Sequence, residues 1–225
     1  PAPGYETYDE DGVMHAWALD KAVYGLCQSA RAWNKCLHDH LVSLGFSQSA
    51  HDPCLYTRGS HETGDFIALA TYVDDLGAAG SDSATVDALL LELRAHFKVE
   101  DKGPLNWFLS ITIDRHGDDL FTHQTAYARD MLQRFGLDKA NTASTPMPPG
   151  FVFLANSGEP SADHRLFREL LGALRWLTLT RVDLCFAVNA LCRYLANPND
   201  AHVAAAKHVC RYVLGTLDTG LWYRH

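Results

Sequence analysis

The sequence contains no apolar run approaching the ~20 residues that a membrane-spanning helix needs, and no signal-peptide pattern or initiator Met. It starts abruptly at PAPGYE, which predicts a piece of a longer polypeptide. Its six cysteines, Cys27, Cys36, Cys54, Cys185, Cys192 and Cys210, lack CxxC spacing, so reduced intracellular thiols are expected rather than a disulfide framework or zinc site. Positive charge is scarce as well: 19 Lys and Arg face 27 Asp and Glu, a net charge of −8. The shortage is local, because residues 1–124 hold 8 basic and 19 acidic residues whereas 125–225 hold 11 and 8. A phosphate backbone needs Lys and Arg to displace its counterions, so at best weak, salt-sensitive nucleic-acid binding is expected of this chain alone. Low apolar content is not among the deficits. With 47% apolar and 11% aromatic residues over 225 positions, disorder is excluded and one large or two small cores are affordable.

The most informative stretch is FIALATYVDDLGAAG, Phe66 to Gly80. Phe66, Ala68, Ala70 and Tyr72 alternate with Ile67, Leu69, Thr71 and Val73 and neither set is strongly polar, the pattern of a strand covered on both faces. Asp74 and Asp75 are expected at a turn, with Leu76 to Ala79 returning as the second strand of a hairpin. Such a tight turn ordinarily asks for glycine, which Asp-Asp does not supply. Two carboxylates in this position suit a hard cation such as Mg²⁺, which takes oxygen ligands and fills its shell with water and phosphate oxygens. A solvated hairpin tip is the alternative, since acidic residues favour turns.

The remaining periodicities outline the fold. Leu26, Ala30, Trp33, Leu37, Leu41 and Leu44 predict an amphipathic helix over Val23 to Phe46, stopped at Gly45. A short strand is expected from Leu55 to Thr57. A helix from Thr85 to Phe97 follows, capped by Ser81 or Asp82, with a core stripe of Val86, Leu89, Leu90, Leu93 and Phe97. Leu105, Trp107, Leu109, Ile111 and Ile113 alternate into a hairpin that returns through Leu120 to Thr122. From Thr125, expected as a cap, the period turns helical through Tyr127, Met131, Leu132 and Phe135, ending at Gly136; residues 138–164 read as a linker. Helices are then expected over Leu166–Leu179, Leu184–Leu195 and Ala201–Leu214. Their Arg168, Arg175, Arg181, Arg193 and Arg211 fit a solvated face, with a phosphate backbone as the sharper possibility. Asp9, Glu10 and Asp11 read as a solvated loop, and His51 and His61 as surface residues.

AVYGLCQSARAW (Ala22 to Trp33), LGFSQSAHDPCLY, YVDDLGAAGSD, PLNWFLSITI, RFGL with STPM, and LGALRWLTLTRVDLCFAVNALCRYLANPNDAH (Leu171 to His202) occur in an order and spacing that resemble the copia-type LTR-retrotransposon reverse transcriptases. The resemblance implies an α+β fold: a partial fingers and palm over 1–124, built on a small antiparallel sheet with the YVDD hairpin and backed by helices. A thumb helix and linker would occupy 125–150 and a helical thumb and connection 151–225. It implies RNA-directed DNA polymerisation by two-metal nucleotidyl transfer, with Asp74 and Asp75 as catalytic and Mg²⁺ or Mn²⁺ ligands. Tyr72 would lie beside the primer terminus, and Tyr24, Gly25, Gln28 and Arg31 would contact nucleotide or template. Trp107 and Phe108 would face the primer, although core packing is the commoner fate of such aromatics. The implied partners are an RNA or DNA template-primer, dNTPs and the rest of a polyprotein; the strand with the first catalytic aspartate would lie before residue 1 and an RNase H domain after the last. No membrane is implied, and the setting would be cytoplasmic, in a virus-like particle, or nuclear.

The chain departs from the family pattern at Cys27, Ala30, Gly77, Ser110 and Val182, and has Glu100 where a lysine is common. These losses favour a second reading, a degenerate or reused retroelement fragment serving as a non-catalytic nucleic-acid-binding or structural module. A two-metal nuclease would need further acidic partners, for which only Glu6, Asp9, Glu10 and Asp11 are unassigned.

Overall fold

The structure is a computed structural model that describes residues 6–15, 20–23, 25–148, 150–151 and 163–224. Tyr24 and most of the linker after Met147 lie outside the described residues. The chain forms two compact units, Pro1–Gly103 and Pro104–His225.

The first unit is a four-stranded antiparallel meander backed by two helices. Helix α1 (Ser29–Ser43) precedes strands β1 (Ser47–Gln48), β2 (Leu55–Arg58), β3 (Ile67–Tyr72) and β4 (Asp75–Gly80), in sheet order β1-β2-β3-β4; helix α2 (Ser83–Arg94) follows. α1 starts six residues later than its apolar spacing suggests. Gly25 at φ +99° and the turn bonds Leu26 N–H to Val23 O and Ser29 N–H to Leu26 O keep residues 25–28 out of the helix, and Leu26 and Ala30 are exposed. Its end is as the sequence suggests. Gly45, at φ +84°, donates to Val42 O while Phe46 donates to Leu41 O, the paired bonds of a Schellman stop. Asp82 caps α2 by accepting the Thr85 N–H at 2.7 Å.

Leu37 and Leu41 from α1, Tyr56, Ile67 and Leu69 from the sheet, and Leu89 and Leu93 from α2 form one buried core. Each of these leucines is worth roughly 2–5 kcal/mol against alanine. The central strand is fully buried on one face only: Ile67, Leu69 and Thr71 are inside, whereas Ala68 and Ala70 opposite are half-buried. Coverage on both faces is therefore corrected. The helices cover one side, and the other is built from small residues, Ala70 facing Gly77 and Ala68 facing Ala79.

The second unit has a sheet and a helical core. Strands β5 (Trp107–Phe108), β6 (Ile111–His116), β7 (Asp119–His123) and the late β8 (Leu221–Tyr223) lie in the order β5-β6-β7-β8, all antiparallel. Leu120 pairs with Tyr223, Phe121 with Trp222 and Thr122 with Leu221. The uninterrupted alternation from Leu105 to Ile113 does not hold. Phe108 pairs with Ile111, so Leu109 and Ser110, at φ +50° and +66°, are the central residues of a two-residue turn with the backbone signs of type I′. Trp107 is 56% exposed, which corrects the core placement of this aromatic; Phe108 is half-buried.

Helices α3 (Thr125–Arg134), α4 (His164–Leu177), α5 (Cys185–Cys192) and α6 (Asp200–Gly215) enclose the larger core, in which Met131, Leu132, Phe167, Leu170, Leu174, Val188, Leu191 and Val209 are buried. Thr125 is the first helical residue of α3 rather than its cap, and its hydroxyl donates to Leu217 O at 3.0 Å. α6 opens with a reciprocal cap: the Asn199 side chain accepts the His202 N–H while His202 Nδ1 accepts the Asn199 N–H. Arg181 is no part of a solvated face. At 3% exposure it donates twice to the Asp183 carboxylate, at 3.0 and 2.9 Å, and to both Thr216 O and Thr216 Oγ1. Arg168, Arg175 and Arg193 do stay exposed. The six cysteines are free thiols, and no described helix is long and apolar enough to cross a membrane.

Candidate active site

The β3–β4 hairpin carries the acidic pair at its tip, with one shift from expectation. Tyr72 pairs with Asp75, so the two turn residues are Val73 and Asp74, and Asp75 is the first residue of β4. The missing glycine is replaced by strain. Val73 takes φ +54°, a left-handed value that is an outlier for a β-branched side chain and costs on the order of 1–3 kcal/mol. With Asp74 not at positive φ, the turn has the sign pattern of type II′, whose first central position ordinarily belongs to glycine. Such strain persists only where surrounding contacts over-determine the backbone.

One such contact is visible. The indole N–H of Trp33, on α1, donates to the Val73 carbonyl. The Trp33 ring is half-buried and meets the edge of Phe97 just beyond α2, at 5.3 Å between centroids and 69° between planes. Both helices behind the sheet thus reach the turn through one side chain. Sequence periodicity identifies Trp33 only as a member of the α1 stripe. The available signal was chemical: a half-buried indole N–H requires an acceptor.

Asp74 and Asp75 are exposed, as are Tyr72 and Val73 beside them. Neither carboxylate has a hydrogen bond or ion pair with a described residue, and no described group of three or more His, Cys, Asp or Glu side chains is arranged to hold a metal. Two adjacent, unpartnered carboxylates are hard oxygen donors that fit a divalent cation sharing its shell with water and phosphate, and they do not fit an all-protein cage. Gln28 immediately precedes α1 without capping it, and Arg31 lies two residues before Trp33; both are exposed. A Cβ at Gly25 would meet nothing within 4 Å, so it is the backbone angle, and not a close neighbour, that calls for glycine there. Trp107 and Phe108 belong to the second unit.

A small antiparallel sheet backed by two helices, with an acidic pair on the hairpin at one edge, is compatible with the palm of a nucleic-acid polymerase. The chain belongs to the reverse transcriptase family: residues 1–149 match the family described as "Reverse transcriptase (RNA-dependent DNA polymerase)". Its relatives include the retrovirus-related Pol polyprotein from transposon RE2 of Arabidopsis thaliana, 34% identical over 99% of this chain and 15% of that protein. The Pol polyprotein from transposon TNT 1-94 of Nicotiana tabacum is 30% identical over 94% of this chain and 17% of its own length. An uncharacterized mitochondrial protein of Arabidopsis thaliana is 38% identical over 68% of this chain and 64% of that protein. The chain spans less than a fifth of either polyprotein named here. No solved structure matches it.

Proposed function

We propose that this chain serves RNA-directed DNA polymerisation by two-metal nucleotidyl transfer, with Asp74 and Asp75 as two of the metal-holding carboxylates. What carries the reading is the pair itself: two exposed carboxylates without partners among the described residues, on a turn held in a costly backbone geometry. Mg²⁺ or Mn²⁺ bound there would favour ionisation of a primer 3′-hydroxyl and offset charge on the triphosphate. Tyr72, exposed and paired with Asp75, would bear on the primer terminus. Gln28 and Arg31, at the start of the helix that also bonds the turn, would bear on template base and incoming nucleotide, along with Gly25 and Tyr24. Trp107 is free to stack on the primer, with Phe108 beside it. The family resemblance puts the third carboxylate of such a site outside these 225 residues, so the isolated chain is expected to need the rest of its polyprotein for activity.

The test is a Mg²⁺ titration followed at the Asp74 and Asp75 carboxyl carbons by NMR, beside a primer-extension assay. Saturable millimolar binding that Asp74→Asn abolishes, without extension by the isolated chain, is expected. Absence of saturable binding defeats the metal assignment. Extension by the isolated chain that Asp74→Asn abolishes defeats the need for a further segment. A second reading, a retroelement fragment that no longer does chemistry, is favoured by Ser110 at φ +66°, where the family's glycine would sit without strain.

A further inference from the structure

We propose that Trp33 is a positioning residue for the acidic hairpin tip: its indole N–H, by holding the Val73 carbonyl, sets the left-handed turn from which Asp74 and Asp75 depart. The inference deepens the metal-binding reading of that tip and rests on it for its functional meaning.

Three observations carry it. First, the turn chemistry does not account for the conformation. Val73 is among the least suited residues for φ +54°, and the pair that closes the turn is Tyr72 with Asp75, so a contact from elsewhere must hold the intervening peptide. Second, the Val73 side chain is 49% exposed and is not among the apolar residues packed on the core of the first unit. Third, the bond to the Val73 carbonyl comes from α1, 40 residues earlier in the chain, and from a ring lodged against Phe97 next to α2. A hydrogen bond to the backbone of a ligand-bearing turn orients the ligands without touching them, which is how supporting groups tune metal sites; losing one typically weakens metal affinity 10–100-fold. Pre-organisation of this kind works best when the supporting side chain is mounted on helices, as here. The apolar stripe alone would be served as well by phenylalanine, which has no N–H.

The decisive variants are Trp33→Phe, which keeps a ring against Phe97 and removes the donor, and Trp33→Phe combined with Val73→Gly, which makes the left-handed angle free of strain. In the metal-free full chain the strong intraresidue HN–Hα NOE of left-handed backbone is expected at Val73 and lost in Trp33→Phe; the double variant, whose residue 73 has two Hα atoms, is read by metal affinity. Mg²⁺ affinity should fall about tenfold or more in Trp33→Phe and recover to within about threefold in the double variant. An unchanged NOE and an unchanged affinity in Trp33→Phe overturn the proposal. If the parent chain binds no Mg²⁺, the metal reading fails by itself, and the NOE comparison still decides whether Trp33 sets the turn. Should Trp33→Phe not fold, deuterium exchange at the indole N–H of the parent chain decides: slower exchange at Trp33 than at the exposed Trp107 supports the bond, and equal rates overturn it.

Discussion

Replacing Asp183 by asparagine should loosen the helical unit far more than a surface charge deletion would. Arg181 is buried and fully committed: two bonds to the Asp183 carboxylate, two to Thr216, and the Tyr212 ring 5.6 Å from its guanidinium carbon. Tyr212 also donates its hydroxyl to Asp183 Oδ2 at 3.0 Å. Asp183→Asn keeps the shape but leaves the buried guanidinium without a counter-charge; breaking a fully buried pair costs about 3–5 kcal/mol, and with the Asp183 side chain 32% exposed about 2–3 kcal/mol is expected. At about 1.4 kcal/mol per factor of ten, amide exchange through opening of this unit should accelerate roughly 30–150-fold. Peptide-resolved hydrogen exchange on the full chain, comparing α4 and α6 with α1 and α2, reads this directly. A pH scan adds an independent check. Burial alone would raise the Asp183 carboxyl, but its bonds to Arg181, that residue's charge and the Tyr212 hydroxyl together hold it below the usual carboxylate value. Its stabilisation is thus fully present above about pH 4 and lost as pH falls through the lower folded value. An acceleration under tenfold in Asp183→Asn would show that Arg181 is satisfied by Thr216 alone and that the pair is not a determinant of stability.

Two other expectations concern single positions. Burial pushes the His202 imidazole down, and its Nδ1 must stay unprotonated to accept the Asn199 N–H. The stability it provides is therefore complete above about pH 6.5 and lost as pH falls below that; His202→Gln should flatten the decline in helical-unit stability between pH 7.5 and 5.5, and an unaltered slope would count against the cap. Ser110→Gly should raise the stability of the second unit by about 0.5–1 kcal/mol, because relief of the left-handed residue, about 1–2 kcal/mol, exceeds the added entropy of the unfolded chain. Urea denaturation followed at Trp107 and Trp222 measures it, and a net loss would mean that the serine side chain contributes more than its backbone costs.

The helices were legible because their burial follows a period: Leu37 and Leu41, Leu89 and Leu93, Phe167 through Leu177 each lie on one stripe. So was the acidic hairpin, since Phe66 to Gly80 offers no other short way to pair two apolar runs. What escaped depends on partners distant in sequence or on residues used against type. Leu109–Ser110 makes a type I′ turn without the Asn-Gly that would announce one. The one-residue shift that puts Val73 at the tip is set by the Tyr72–Asp75 register, which apolar alternation does not encode. Arg181 counts as basic surface until Asp183 and Thr216 are seen around it. A three-residue strand such as β8 has too few positions to show any alternation.

That strand ties the second unit to the order of synthesis. Leu120 finds its partner at Tyr223, about a hundred residues later, so β7 remains an edge until residues 221–223 have been made. At about 5–20 residues per second, the hairpin leaves the ribosome some 5–20 seconds before its neighbour. The first unit, whose longest pairings are within residues 47–80, is under no such delay. A nascent chain halted between the two strands would present β7 and its Phe121 as an open template for another chain, and pause sites or chaperones acting in that interval would decide how much of the product closes its own sheet.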